Sequence, residues 1–171
     1  METWDAITAR RNVREFSDRA IPDADLDRVL EAGRIAPSSQ NNQPWDFVAV
    51  TDRELLGELS KVWRGGGHIA NAAAAVAMVI PDEEETRARE RNRFDIGQAA
   101  MQMMITAADL GIGSGHSAVG DQDLARSVLG VPAGKLVAFV IDLGYPAGRP
   151  LAPGTRLKRR AFDDVVHRNG W

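Results

Sequence analysis

Residues 36–45 read Ala-Pro-Ser-Ser-Gln-Asn-Asn-Gln-Pro-Trp, a polar, turn-rich stretch between a helical pattern and an apolar strand pattern. Pro37 ends the helical pattern, and the Ser-Ser-Gln-Asn-Asn run after it is typical of a loop. Residues 45–50 then alternate in polarity and are rich in strand-forming residues, which predicts a strand. An ordinary Asn/Ser turn explains the composition of the loop, but it leaves Gln43-Pro44-Trp45 unexplained as a unit.

Helical and strand patterns alternate along the rest of the chain. Helical periodicity predicts helices over residues 3–11, 22–36, 52–62, 94–110 and 124–129. Two further strands, residues 75–80 and 136–143, are apolar on both faces, as is typical of central strands. Residues 81–85 read as solvated surface, and residues 113–120 as a glycine-rich crossing that is either a strand or a loop. This order predicts an α+β architecture with one small sheet, built as a single domain over residues 1–171.

Length and composition are those of an ordinary soluble globular protein. The 171 residues suit one domain, and they include 44% apolar and 26% charged residues with a net charge of −3. Basic residues are interspersed with acids, which argues against a nucleic-acid partner. The longest apolar stretch, residues 72–80, is far too short to cross a membrane. We expect a cytoplasmic protein, because the chain has no cysteine and its N-terminus is unlike a signal peptide. We expect no metal site, because the three histidines are scattered and there is no cysteine to bind a metal.

A cluster of arginines lies near the start of the chain, where residues 10–14 read Arg-Arg-Asn-Val-Arg. If this segment is extended, Arg10, Asn12 and Arg14 alternate onto one side, and the two guanidinium groups there suit a phosphate. A solvated basic turn is the alternative that composition alone favours.

The polar side chains of residues 38–43 suit a flat polar heterocycle. Asn41 and Gln43 each carry amide donors and acceptors, which can complement the edge of such a ring. Ser38 and Ser39 add hydroxyl groups and backbone N–H groups in a loop that can approach a ring closely.

These two segments, in this order, resemble the N-terminal signature of the nitroreductase family of FMN-dependent oxidoreductases. That signature reads roughly Arg-Arg-Ser-Val-Arg, followed by Ala-Pro-Ser-x-x-Asn-x-Gln-Pro-Trp. Asn12 stands where the family usually has Ser, and it can still donate a hydrogen bond. The resemblance covers nearly the whole chain and implies the nitroreductase-like fold, a small, mostly antiparallel sheet flanked by helices. It also implies an intertwined homodimer, in which residues 147–171 form an extended C-terminal arm on the partner subunit.

The resemblance places two equivalent FMN sites at the subunit interface. The arginine segment and Arg159 would bind the ribityl phosphate, with Arg160 beside it, and the loop of the other subunit would cover the ring. Ser117 and Ala118 would lie near the flavin N5. Read by itself, the basic run Lys158-Arg159-Arg160 is more simply explained as a basic patch on an exposed tail. The implied cofactor-binding residues are Arg10, Arg11, Asn12, Arg14, Pro37, Ser38, Ser39, Asn41, Gln43, Ser117, Ala118, Arg159 and Arg160.

The implied chemistry is a ping-pong, two-electron hydride transfer from NADH or NADPH through FMN to a small organic acceptor. The acceptor would be of nitroaromatic, quinone or enone type. Because the flavin carries the hydride, no catalytic side chain is expected. Three alternatives stay open: an FMN carrier or sensor without turnover, a flavin-dependent dehydrogenase of a biosynthetic intermediate, and a structural interaction module that binds no flavin.

Two features depart from the family pattern or extend it. Many members carry an insertion before the long helix that helps to roof the flavin, whereas only residues 81–93 lie there in this chain. We therefore expect a shorter lid and a more open pocket. His68 stands near a point where some members place a cationic FMN contact, and a surface or capping role is the alternative.

Overall fold

The fold is built from five α-helices and four β-strands, which the computed structural model describes over residues 1–154 and 158–171. The helices within these ranges are α1 Thr3–Ala9, α2 Asp23–Arg34, α3 Arg53–Leu59, α4 Thr86–Asp109 and α5 Gln122–Leu129. The strands are β1 Asp46–Val50, β2 Ala74–Pro81, β3 Gly113–Ser117 and β4 Lys135–Gly144. Short 3₁₀ turns lie at Ser39–Asn41, Ser60–Val62, Gly67–Asn71 and Phe162–Asp164.

The four strands form one antiparallel sheet in the order β1-β2-β4-β3. Alternate residues of β2 point to opposite faces, so this strand contributes to two separate cores. Val76, Met78 and Ile80 pack on one face with α2 and α4, while Ala75, Ala77 and Val79 pack on the other with α3 and α5. The sheet is therefore covered by helices on both faces, which explains why its central strands are apolar throughout.

The strands predicted from apolar runs are confirmed, with ends that differ by one residue in β1, β2 and β4. The predicted α+β class with one small sheet is also confirmed, since the strand pairs in the sheet are all antiparallel. Strand β3 shows that the glycine-rich crossing, which the sequence leaves open as a strand or a loop, begins as a strand. Gly111 ends the preceding helix with a positive φ of 74°, as glycine commonly does. Residues 113–117 then pair with β4 along an edge of the sheet.

Helix α4 begins two turns earlier than its apolar periodicity predicts. It starts at Thr86 rather than Phe94, and the side chain of the N-cap residue Glu85 accepts a hydrogen bond from the Ala88 N–H at 3.2 Å. The expectation that residues 81–93 all lie between β2 and the helix is therefore wrong. Only residues 82–85 connect the two elements, and the first turns of α4 carry exposed arginines.

The C-terminal segment leaves the sheet after β4. Of the predicted extended arm, residues 155–157 lie outside the described residues. Residues 158–171 are exposed, including Phe162 at 63% and Trp171 at 104% of their full accessibility. Within the two described ranges, no helix combines the length and the apolar character that a membrane crossing requires.

Candidate cofactor site

The segment after α1 is held in extended form beside the sheet edge. The Val13 N–H donates to the Ser114 carbonyl of β3 at 3.0 Å, and Asn12 forms a parallel bridge with the same residue. On its other side, the Ala147 N–H donates to the Glu15 carbonyl at 3.0 Å. The backbone thus fixes the arginine segment between β3 and the chain that leaves β4.

An arginine-rich cavity of about 660 Å³ lies at the start of this segment. We call it the arginine cavity. Arg10, Arg11 and Asn12 line it, together with Arg149 and Arg159 from the C-terminal part of the chain. Two regions distant in sequence therefore contribute cationic groups to one concave surface. None of these guanidinium groups is within 4.0 Å of an acidic side chain in the described residues.

Two details of the arginine cavity suit an anion. The Arg11 guanidinium donates to the Arg149 carbonyl, which ties the two walls together. The buried Nε of Arg11 has no hydrogen-bond partner within the described ranges. Because a buried donor without a partner costs free energy, the residues present fit a ligand that supplies oxygen acceptors, such as a phosphate.

The remaining arginines proposed for this site lie apart from it. Arg14 lines a smaller adjoining cavity of about 340 Å³ that also includes Arg11 and Arg149. The Arg160 guanidinium donates to the Asp164 carbonyl of the following 3₁₀ turn at 2.6 Å, and it does not line the arginine cavity. Arg149 was missed by the sequence analysis because it follows a Gly in a turn-rich segment with no flanking motif.

The loop at residues 37–43 has a strained backbone. Gln40, Asn41 and Gln43 have φ values of 53°, 57° and 49°, a region that residues other than glycine rarely adopt. Strain of this kind persists only where the surroundings impose it, and it clusters at functional sites. The Gln43 N–H donates to Ser38 Oγ at 2.9 Å, and Gln43 Nε2 donates to the Asn41 carbonyl at 3.2 Å.

Helix α4 holds this loop in place through a buried carboxylate. The Ser39 N–H lies 3.2 Å and 3.1 Å from the two oxygens of Asp95, a side chain with 1% residue exposure. Gln98 Nε2 also donates to this carboxylate, at 3.4 Å. Asp95 was missed by the sequence analysis because it lies in a helix where a single acid carries no motif.

A second cavity, about 590 Å³ in volume, lies between the loop and α4. We call it the loop cavity. Pro37, Ser38 and Ser39 line it on one side, and α4 lines it on the other with residues that include Phe94. Among residues 1–154 and 158–171, it shares no lining residue with the arginine cavity. Asn41 and Gln43 are exposed but do not line either cavity. Within a single chain, the groups predicted to bind the phosphate and those predicted to cover the ring are therefore apart.

Ser117, at the end of β3, belongs to a buried polar chain rather than to a cavity. Its Oγ lies 3.2 Å from His68 Nε2, and His68 Nδ1 lies 2.9 Å from Asp142 Oδ2. Asp142 is fully buried, and its Oδ1 has no partner among the described residues. Gly115 makes room for this carboxylate, because a Cβ there would lie 2.7 Å from Asp142 Oδ2. The next residue along the chain, Ala118, is exposed.

Burial dominates the electrostatics of this polar chain. Removal from water raises the pKa of the Asp142 carboxyl above its ordinary value of 3.8, and the nearby His68 offsets part of that rise. His68 faces inward to this carboxylate. Within residues 1–154 and 158–171, no group of three or more His, Cys, Asp or Glu side chains is arranged to hold a metal ion.

The comparisons with known proteins place this geometry in a family. A model described as Nitroreductase family matches residues 7–78 and 60–145, which together span most of the chain. The chain belongs to the nitroreductase family. The family resemblance drawn from the two N-terminal segments is thereby confirmed.

Relatives in the nitroreductase family match over nearly the whole length. A protein of Archaeoglobus fulgidus, provisionally named NADH dehydrogenase/NAD(P)H nitroreductase, is 32% identical over 169 residues, which cover 96% of each chain. An FMN-dependent nitroreductase of Clostridium difficile has a TM-score of 0.84 at 26% identity, over 97% of this chain and 98% of that one. The NADPH:FMN oxidoreductase of Vibrio harveyi, solved with NAD⁺, has a TM-score of 0.84 at 26% identity, over 97% and 76% of the two chains. These likenesses confirm the predicted nitroreductase-like fold.

Proposed function

We propose that this nitroreductase-family protein is an FMN-dependent NAD(P)H oxidoreductase. The observation that carries the proposal is the arginine cavity, in which Arg10, Arg11 and Arg159 converge with no acidic side chain of the described residues within 4.0 Å. FMN differs from riboflavin by a terminal phosphate, and arginine is the side chain best suited to bind phosphate in two-point contact. The names of the Clostridium difficile and Vibrio harveyi relatives, which include FMN, support this choice of cofactor.

The proposed ring-binding groups come from the strained loop. Ser38 and Ser39 present hydroxyl groups at the loop cavity, and Asp95 holds the backbone there. The amide groups of Asn41 and Gln43 and the segment of Ser117 and Ala118 complete the set proposed for the ring. Arg14 and Arg160, which do not line the arginine cavity in this chain, belong to the same proposal as additional cationic groups.

A homodimer would bring these groups together. The arginine cavity and the loop cavity are separate within one chain, so a second copy can place its loop over the ring whose phosphate the first copy holds. Large apolar side chains are exposed on α1 and α4, with Trp4 at 73% and Met101 at 44% accessibility. Further apolar side chains are exposed after position 158, and a partner copy would remove such area from water. We propose that residues 147–171 pack on that partner.

The proposed reaction is ping-pong. When bound, FMN would supply a reversible two-electron acceptor for the hydride of NADH or NADPH. NADH or NADPH and a small nitroaromatic, quinone or enone acceptor would occupy the same pocket in turn. The chain's own residues bind and orient the reactants and limit access of water. The names of the relatives from Archaeoglobus fulgidus and Vibrio harveyi support a nicotinamide donor.

The phosphate assignment is tested by titrating the purified protein with FMN and with riboflavin and measuring the loss of flavin fluorescence. We expect FMN to bind at least about tenfold more tightly, because a charge-assisted hydrogen bond contributes about 1.5–3 kcal/mol. Arg159→Ala should reduce this preference about tenfold. The matched control is Arg34→Ala, which removes an exposed arginine paired with Glu31 on α2. Equal affinities for FMN and riboflavin in the unmodified protein would contradict the assignment.

A further inference from the structure

We propose that the loop cavity is the acceptor pocket of this oxidoreductase and that it selects planar organic acceptors carrying a carboxylate group. The inference rests on the proposed function, and it goes further by naming two side chains that recognise the acceptor. Those side chains are Arg87 and Arg91, on the first turns of α4.

The cavity has the apolar surface that a planar acceptor needs. Phe94 lines it and is 70% exposed, which is unusual for a phenylalanine that has a packed helix behind it. An exposed aromatic ring beside a concave surface offers a face for stacking. At about 590 Å³, the cavity falls within the range typical of small-molecule sites.

Two uncommitted guanidinium groups lie on the same wall. Arg87 and Arg91 are one helical turn apart and both line the cavity. Neither lies within 4.0 Å of an acidic side chain in the described part of the chain. Arg89 differs, because its guanidinium donates to the Glu83 and Glu84 carbonyls at 3.1 Å and 3.2 Å. A pair of free guanidinium groups beside an aromatic ring suits an aromatic carboxylate.

The acidic side chains of the cavity do not neutralise the positive charge of Arg87 and Arg91. Asp95 also lines the cavity, but its carboxylate is buried and already accepts from the Ser39 N–H and from Gln98. Glu90 is the other acidic lining residue, and it is exposed. Two arginines therefore oppose one free carboxylate, so the exposed side chains carry a net positive charge.

A nitroaromatic acid is a suitable probe because its reduction consumes defined reactants. One NADH and one proton convert the nitro group to a nitroso group, with release of NAD⁺ and water. The test compares kcat/KM for 4-nitrobenzoate with kcat/KM for 4-nitrotoluene, which has a methyl group in place of the carboxylate. Binding of benzoate and of neutral benzamide, measured by calorimetry on the flavin-loaded protein, gives a second readout that needs no turnover.

We expect the unmodified protein to prefer 4-nitrobenzoate and to bind benzoate more tightly than benzamide. Replacing both arginines (Arg87→Ala with Arg91→Ala) should lower kcat/KM for 4-nitrobenzoate and the affinity for benzoate about tenfold, as expected when a charge-assisted contact is lost. The values for 4-nitrotoluene and benzamide should stay within about twofold. Glu90→Gln should strengthen the preference for the acid, because it removes the opposing charge.

The same helix supplies a matched control. Arg89→Ala combined with Arg93→Ala changes the net charge equally and has the same spacing. Arg89 and Arg93 each lie two residues after Arg87 and Arg91, which places them on the opposite face of the helix. This variant should keep the preference for 4-nitrobenzoate. If both double variants reduce the preference equally, the effect is one of overall charge and the proposal is wrong.

The remaining outcomes separate this inference from the proposed function. Equal use of 4-nitrobenzoate and 4-nitrotoluene by the unmodified protein contradicts the carboxylate selection alone. A change in KM for NADPH but not for NADH in the Arg87/Arg91 variant, with the acceptor preference intact, assigns the pair to the 2′-phosphate of NADPH and overturns the inference. A protein that binds no flavin and reduces neither compound contradicts the proposed function, and the inference falls with it.

Discussion

At the scale of single residues, the buried polar chain of Asp142, His68 and Ser117 is the most unusual feature of the core. A buried carboxylate is costly unless hydrogen bonds compensate it, and His68 provides such a bond at 2.9 Å. The sequence could not predict this chain, because its three members lie in different elements and none stands in a motif. The sheet register brings Gly115 opposite Asp142 and leaves room for the carboxylate.

Asp142→Asn should change how stability depends on pH. Burial raises the pKa of Asp142, so the folded protein binds this proton more tightly than the unfolded chain. The stability that the wild-type group contributes is therefore greatest below pH 3.8 and decreases as pH rises above that value. Asn does not titrate, and its amide oxygen can still accept from His68. In urea unfolding at a series of pH values, the wild type should lose stability relative to the variant as pH rises.

The exposed Asp123→Asn serves as the control for that series. Asp123 is 98% exposed on α5, so its replacement should leave the pH dependence close to that of the wild type. A constant difference in stability between the wild type and Asp142→Asn at every pH would contradict a raised pKa for this carboxyl.

At the scale of elements, α4 links the core to the candidate site. Its apolar residues, including Ile96 and Met103, pack on the sheet, while residues of its first turns line the loop cavity. Apolar periodicity correctly predicts the part of α4 that packs on the core. It does not predict the first two turns, because four arginines at alternate positions show no apolar face and the helix begins at a Glu cap. Similarly, the sequence pattern does not predict the edge strand β3, because its glycines have no side chains that could show an alternating pattern.

Asp95→Ala should release the strained loop from α4. The Ser39 N–H would lose its acceptor, and the loop would relax from the positive φ values of Gln40, Asn41 and Gln43. We expect a loss of about 1–3 kcal/mol in the free energy of unfolding, measured with urea, and about tenfold weaker FMN binding. Asp95→Asn keeps one acceptor oxygen, so its effects should be smaller. Unchanged FMN binding by a folded Asp95→Ala protein would show that the loop does not contact the cofactor.

At the scale of the whole molecule, the two cavities are complementary but separate. The resemblance carried by the N-terminal motifs was sufficient to predict the fold, and the motifs themselves supply part of the lining of both cavities. They did not reveal Arg149, Arg87 or Arg91, because an isolated surface arginine is common and only the folded chain shows which ones share a concave surface. Sequence spacing likewise says nothing about the distance between the two cavities.

Met101→Arg should separate the proposed dimer. Met101 is 44% exposed on α4, and an arginine there would bury an unpaired charge in the proposed interface. Light scattering after gel filtration should give twice the chain mass of 18.6 kDa for the wild type and the single chain mass for the variant. Leu55→Arg is the matched control, because Leu55 is 40% exposed on α3, in the layer on the other face of the sheet. A monomeric wild type that binds FMN would contradict an interface site.

The measurement that tests the proposed function most directly is the visible absorbance of the protein after addition of FMN and removal of the excess, followed by anaerobic NADH or NADPH. The proposed function predicts that the flavin bands are retained and then bleach with at least one of the two donors. A retained spectrum that neither donor bleaches would indicate a carrier or a different reductant. A protein that retains no flavin would contradict the FMN site itself.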